Sequence, residues 1–279
     1  MSADVAEVRI DADGHTLYAR RRDPGAGTPC VVLLSGIGFH TFEYEPLAAQ
    51  LAARGIGSLS FDFRGHGHST GPRGDWRLSD LATDTLHAIT HVVDAEPDPH
   101  PVHLFGNSLG AMVAILAGAR TDVVCSVIAS NAPAHVAEFM LTRPRRALYT
   151  AAKPLAGHVA LRIGLHHFYD YRDLIDDTAW IERIRHDPLI APARRLTLAT
   201  YRELLEQWDG PTAVRNVPQP LLIVRGARDR FQPADQTNQL VAARQHGAEH
   251  IVIDAGHLPH LDDPAGAADI IAGWIHAHP

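Results

Sequence analysis

The sequence predicts an α/β fold: a mostly parallel sheet with helices on both faces and a helical cap inserted into it. Three observations predict it. Short apolar runs alternate with helix-length segments from the N-terminus, the alternation lapses at about residue 134, and it resumes after Pro218. Val5 to Ile10 and His15 to Arg20 form a hairpin around Asp13-Gly14, and Cys30 to Leu34 is an apolar strand. A helix from about Tyr44 to Arg54 stops at Gly55, a strand covers Ile56 to Phe61, and Ser79 caps a helix reaching Asp94. The run Val102 to Phe105 passes through a glycine-flanked turn into Ala111 to Ala117, and Val123 to Ala129 is the next strand. From Ala134 to Val217 only helices are expected, over Val136 to Tyr149, Leu155 to His166, Asp173 to His186 and Ala193 to Gln207, with Pro144, Pro154 and Pro188 as breaks. Strands return at Leu221 to Val224 and Ile251 to Asp254. Residues 1–133 and 218–279 are thus the core, and 134–217 a helical cap.

The 279 residues suit one large domain with an insertion, and 46% hydrophobic content is ordinary for a globular chain. A net charge of −7 gives no general attraction to nucleic acid or anionic membrane. The opening Met1 to Glu7 lacks a basic region followed by an apolar one, and no run is long enough to span a bilayer, so a soluble cytoplasmic protein is expected. Cys30 and Cys125 lie in apolar strand-like runs and read as buried small hydrophobes, without a disulfide framework. The 19 histidines include His66-Gly67-His68 and His166-His167, but no His-Glu-x-x-His helix or Cys-x-x-Cys pair accompanies them. Neither metal nor cofactor is therefore expected.

The chemistry concentrates at Gly106-Asn107-Ser108-Leu109-Gly110. A strand, tight turn and helix lift a serine off the sheet, and flanking glycines permit the strained backbone and close helix packing. Ser108 is the candidate nucleophile, and its hydroxyl needs a base and a group to orient that base. Asp229 falls in the loop after Leu221 to Val224, and His257 in the loop after Ile251 to Asp254. All three sit at carboxyl ends of strands, where open α/β sheets build their sites. Asp254 and Asp262 are rival acids and His260 a rival base, while Asp229 has a simpler use as partner of Arg228 or Arg230. His66 and His68 read as shaping a turn, and Asn107 as supporting the elbow.

With Asp62-Phe63-Arg64-Gly65-His66-Gly67-His68-Ser69, His186-Asp187-Pro188-Leu189-Ile190 and Gly256-His257-Leu258-Pro259-His260-Leu261, the chain resembles the α/β-hydrolase superfamily over nearly its whole length. Within it, the likeness is to monoacylglycerol lipases, lysophospholipases and related serine esterases. The resemblance implies a triad in the order Ser108, Asp229, His257, and an oxyanion hole made by the amides of Leu109 and Ile37, the latter from Ser35-Gly36-Ile37-Gly38-Phe39-His40. Ser35 stands where many members carry histidine.

The expected function is a cofactor-free serine hydrolase cleaving small or lipid-like acyl esters through an acyl-enzyme. A thioesterase acting on acyl-CoA or an acyl carrier protein is the alternative, because Arg143, Arg145, Arg146, Lys153 and Arg162 lie in a stretch without acidic residues that suits an acidic carrier or a phosphate. A non-catalytic ligand-binding scaffold is the second. The cap's Phe139, Met140, Tyr149, Phe168, Tyr171 and Trp180 are candidates to line the substrate pocket.

Overall fold

The computed structural model describes residues 5–23, 25, 27–95, 100–156, 161–244 and 248–279. Residues 1–4, part of the opening read above for a leader, and 157–160, within the helix expected over Leu155 to His166, lie outside these.

Strands β1 (Val5–Ala12) and β2 (His15–Arg22) pair antiparallel, and β2 continues antiparallel onto β4 (Gly57–Phe61). The remaining neighbours are parallel: β4 with β3 (Cys30–Leu34), β3 with β5 (Val102–Asn107), β5 with β6 (Val124–Ser130). The order across the eight strands is β1-β2-β4-β3-β5-β6, followed by Leu221–Gly226 and Glu249–Ile253 at the far edge. Every residue of β3, β4 and β5 is buried, which requires cover on both faces.

Alternation along the strands sorts that cover. Val31, Leu33 and Phe105 face α1 (Glu45–Ala52) and the terminal helix Pro264–Ala277. Val32, Leu34 and Leu104 face α2 (Leu78–Asp94) and α3 (Leu109–Gly118). Helix α3 is composed largely of small and apolar residues and is buried on almost every side. Helix α2 starts one residue before Ser79, with Arg77 in the capping position and the Asp80 carboxylate accepting from the Arg77 amide at 3.1 Å.

The segment between β6 and the next core strand departs from an all-helical excursion. Helices α4 (Val136–Met140) and α5 (Arg143–Ala152) replace one long helix, because Pro144 fits the first turn of a new helix and not the interior of an old one. Where a helix was expected over Leu155 to His166, the described residues hold β7 (Arg162–Gly164), paired antiparallel with β8 (Arg195–Thr197). That pairing joins residues some thirty positions apart and overrides local propensity. The expected helix over Asp173 to His186 shortens to α6 (Thr178–His186), capped by Asp177. The one over Ala193 to Gln207 resolves into β8, α8 (Leu198–Arg202) and a π turn at Glu203–Gln207, with the short α7 (Ile190–Ala193) before them. Helix α9 (Gly210–Arg215) then leads into the core strand β9 (Leu221–Gly226), followed by α10 (Ala234–Ala243), β10 (Glu249–Ile253), α11 (Pro259–Asp262) and α12 (Pro264–Ala277). Among the described residues no helix is long and apolar enough to cross a membrane.

Candidate active site

Ser108 sits between β5 and α3 with φ +56° and ψ −115°. Such a conformation costs a non-glycine residue roughly 1–3 kcal/mol, so the surroundings must impose it. They do: the Ser108 amide donates to the Ser130 carbonyl at 2.9 Å, tying the turn to β6. A Cβ on Gly106 would strike the Gly110 carbonyl, and one on Gly110 the Leu34 carbonyl, so only glycine fits at either position.

Asp229 and His257 meet from adjacent strand ends. Nδ1 of His257 lies 2.7 Å from Oδ2 of Asp229, and their side chains are 2% and 1% exposed. The other oxygen, Oδ1, accepts from the amides of Phe231 and Gln232, each at 2.9 Å. Burial pushes the Asp229 carboxyl upward, but the charge and hydrogen bond of His257 and these two amides outweigh it and hold it below the usual range. Nε2 of His257 is buried without a hydrogen-bond partner, and the ring edge packs on Phe231 at 5.0 Å.

The rival residues are engaged elsewhere. Asp262 accepts from the amides of Gly256 at 2.8 Å and Asp176 at 3.0 Å, bracing the histidine loop from behind. Asp254 is exposed and pairs with Arg228. His260 is fully buried against Tyr44, with Nε2 3.4 Å from Glu43. Sequence reasoning missed Asn131, whose Nδ2 donates to the His257 carbonyl at 2.8 Å while its Oδ1 accepts from the Gly226 amide at 3.0 Å. Its φ of +46° at the end of β6 is a structural signal with no counterpart in local sequence.

Glu43 was missed as well. Its Oε1 accepts from the Gly36 amide at 3.1 Å, and the neighbouring Tyr44 hydroxyl donates to the Leu34 carbonyl at 2.7 Å. The Gly36 amide is thereby occupied. The next amide, that of Ile37, and that of Leu109 donate to no acceptor among the described residues, and both residues border the same cavity as Ser108 and His257. Two unengaged amides beside a serine and an imidazole are what an oxyanion requires.

That cavity is a mostly apolar cleft with about 600 Å³ of space, including the part open to solvent. Of the side chains expected to line it, Phe139 and Met140 do, joined by Val136, Leu165, Tyr169 and Leu204. Tyr149 and Phe168 line a separate cleft, Tyr171 borders another, and Trp180 packs on Phe42 at 5.7 Å. The short helices between β6 and β9 turn faces that a continuous helix would have kept together.

The remaining motifs hold structure. Burial lowers His66 to about 4, and its Nδ1 lies 3.0 Å from the Arg64 carbonyl. Asp62 accepts from the amides of His68 and Thr41, each at 2.7 Å, and Asp187 lies 2.9 Å from Nε2 of His40. The basic run is dispersed: Lys153 pairs with Glu206, and Arg145 donates to the His167 carbonyl. Cys30 is buried, whereas Cys125 is half-buried. No group of three potential metal ligands forms among the described residues.

Comparison with known proteins bears on the family and the fold. Residues 27–262 match the profile of the family described as serine aminopeptidase, S33. The chain is 28% identical over 262 residues to the pimeloyl-[acyl-carrier protein] methyl ester esterase of Methylococcus capsulatus, covering 88% of this chain and 94% of the relative. It is 27% identical to the monoglyceride lipase of Rattus norvegicus, over 80% and 72% of the two chains. A soluble variant of the Saccharomyces cerevisiae monoglyceride lipase, solved with a substrate analog, superposes with a TM-score of 0.82 at 16% identity, covering 100% of this chain and 96% of the other. The chain belongs to the serine aminopeptidase S33 family of α/β-hydrolases, on its monoacylglycerol lipase-like branch.

Proposed function

We propose that this protein is a serine hydrolase of carboxylic esters. One observation carries the reading: the 2.7 Å Asp229–His257 pair leaves Nε2 without a partner, beside an apolar cavity that Ser108 also lines. Ser108 attacks the acyl carbonyl while His257 takes its proton, and Asp229 holds the imidazole in the correct tautomer and stabilises its cation. The amides of Leu109 and Ile37 receive the tetrahedral oxyanion, His257 returns the proton to the leaving alcohol, and water releases the acyl group by the same steps. Residues 134–217 act as a cap that selects substrate, since they supply much of the apolar lining. Labelling by a fluorophosphonate probe in the native protein and its loss in Ser108→Ala tests the reading. An unlabelled native protein would favour the non-catalytic scaffold.

A thioesterase is the second reading, supported by the exposed Arg143 and Arg146 on α5, which suit an acidic carrier; the name of the Methylococcus relative, a methyl ester esterase on a carrier-bound acyl group, supports the carrier and not cleavage of its thioester. Reversing both charges should slow a carrier-bound substrate in a salt-sensitive way and leave small neutral esters untouched. Equal rates on both substrates would remove the carrier from consideration.

A further inference from the structure

Behind Phe39 and Tyr169, which line the catalytic cavity, lies a second cavity built around a buried cation. Arg194, just after α7, is 6% exposed. Its guanidinium carbon stands 4.3 Å from the ring centroid of Tyr171, 5.0 Å from that of Tyr169 and 5.9 Å from that of Phe39. Among the described residues no carboxylate reaches ion-pairing distance of it, and its Nη1 is buried without a hydrogen-bond partner. The loop bearing the Ile37 amide is shaped to this side chain: Gly38 has φ +78°, and a Cβ there would run into the Arg194 stem.

The cleft beside it offers about 730 Å³ of space, including the part open to solvent, and is bordered by Arg194, Arg185, Arg195 and His166. Asp170 is the one acidic residue of that border, and it stands 3.7 Å from Arg185. Desolvating a guanidinium without a counter-charge is costly, and ring faces recover only part of the cost. The Tyr169 hydroxyl accepts from the guanidinium, but the ring faces accept none of the other hydrogen bonds of the planar fork, which matches carboxylate and phosphate oxygens two at a time.

We propose that this cavity is an oxyanion-binding site, in which Arg194 receives a carboxylate or phosphate and the exposed Arg185 and Arg195 guide it in. Tyr169 borders both cavities, and Phe39 touches both Arg194 and the catalytic cavity; from this adjacency we take the anion to be a substituent of the substrate. Resting on the ester-hydrolase reading, this names the substrate class as esters whose acyl or alcohol part carries a negative charge. A free phosphate would meet the same donors.

Two measurements separate these sources. In the first, kcat/KM is compared for monomethyl adipate, an anion, and dimethyl adipate, neutral and of the same chain length. Arg194→Met should lower the charged-to-neutral ratio roughly 10- to 100-fold, the value of a charge-assisted hydrogen bond, and Arg185→Gln by a smaller factor. In the second, inorganic phosphate is titrated into the protein by calorimetry. Saturable binding lost in Arg194→Met, with an unchanged ester ratio, supports the site and overturns the substrate class. An unchanged ratio together with no phosphate binding overturns the site itself. Should Arg194→Met fail to fold, Arg185→Gln and the wild-type titration still decide the matter. The titration needs no turnover, so an absence of fluorophosphonate labelling would remove the ester reading alone.

Discussion

Replacing Asp229 by asparagine removes one charge and almost no volume, and the structure dictates which way the amide must sit. Oδ1 of Asp229 accepts from the amides of Phe231 and Gln232, each at 2.9 Å. Both are donors, so the asparagine oxygen must occupy that position and its NH2 must face His257. At 2.7 Å, an NH2 there requires Nδ1 of His257 to become an acceptor, which moves the ring proton to Nε2. The nitrogen that should take the Ser108 proton then already carries one. The imidazolium formed during attack loses its counter-charge as well. The serine-protease precedent for this combination is a fall in kcat of about 10⁴, or roughly 5.5 kcal/mol of transition-state stabilisation. Steady-state hydrolysis of a chromogenic short-chain ester measures the loss, and the initial rate of fluorophosphonate labelling reports the nucleophile separately. Thermal unfolding should show a folded protein, because the shape and both amide bonds persist. A folded Asp229→Asn variant within tenfold of native activity would refute the tautomer argument, as would a larger loss from Asp262→Asn.

Ser108→Ala and His257→Ala should each lower kcat by several orders of magnitude in a folded protein, leaving only binding and oxyanion stabilisation; near-native turnover in either removes that residue from the mechanism. Glu43→Ala strands the buried Gly36 amide and leaves His260 facing an empty place, so a loss of about 3 kcal/mol in urea unfolding is expected. In the same variant kcat should fall more than KM changes, and Glu43→Gln, which restores the acceptor, should recover most of both. Gly110→Ala should not yield a folded protein, since its Cβ overlaps backbone rather than a movable side chain. Burial lowers His66 and His103 to about 4 from 6.5. The unfolded chain therefore takes up protons at higher pH than the folded one, and stability is full above about pH 6.5 and lost as pH falls towards 4. Each histidine contributes on the order of 2–3 kcal/mol to that loss. Urea midpoints measured across this range should decline and should flatten in His103→Gln, and a flat wild-type profile would contradict the assignment.

What the sequence determined by itself is local. Gly106 and Gly110 bracket Ser108 because a strand that turns at once into a helix leaves no room for a Cβ at either position, and that demand is written in consecutive residues. Asp229 and His257 are legible for a related reason: each directly follows an apolar run, and the ends of parallel strands converge on one edge. The alternation of such runs also specifies the covered sheet. Tertiary structure decided everything that depends on partners distant in the chain. The strand-end position singles out Asp229, but that its carboxylate reaches His257 while Asp262 braces the loop from behind is a matter of how the loops fold together. Asn131 meets His257 across 126 positions, and His40 meets Asp187 across 147. The β7–β8 ladder exists because two three-residue segments are held side by side, although neither is long enough to declare itself a strand. Beyond Phe139 and Met140, the cavity lining escaped prediction on the same ground, since breaking the segment over 134–217 into short helices and turns sets afresh which side chains face inward. Backbone sterics act between neighbours and so appear in the sequence, whereas packing and buried polar pairing act across the folded chain and become visible only there.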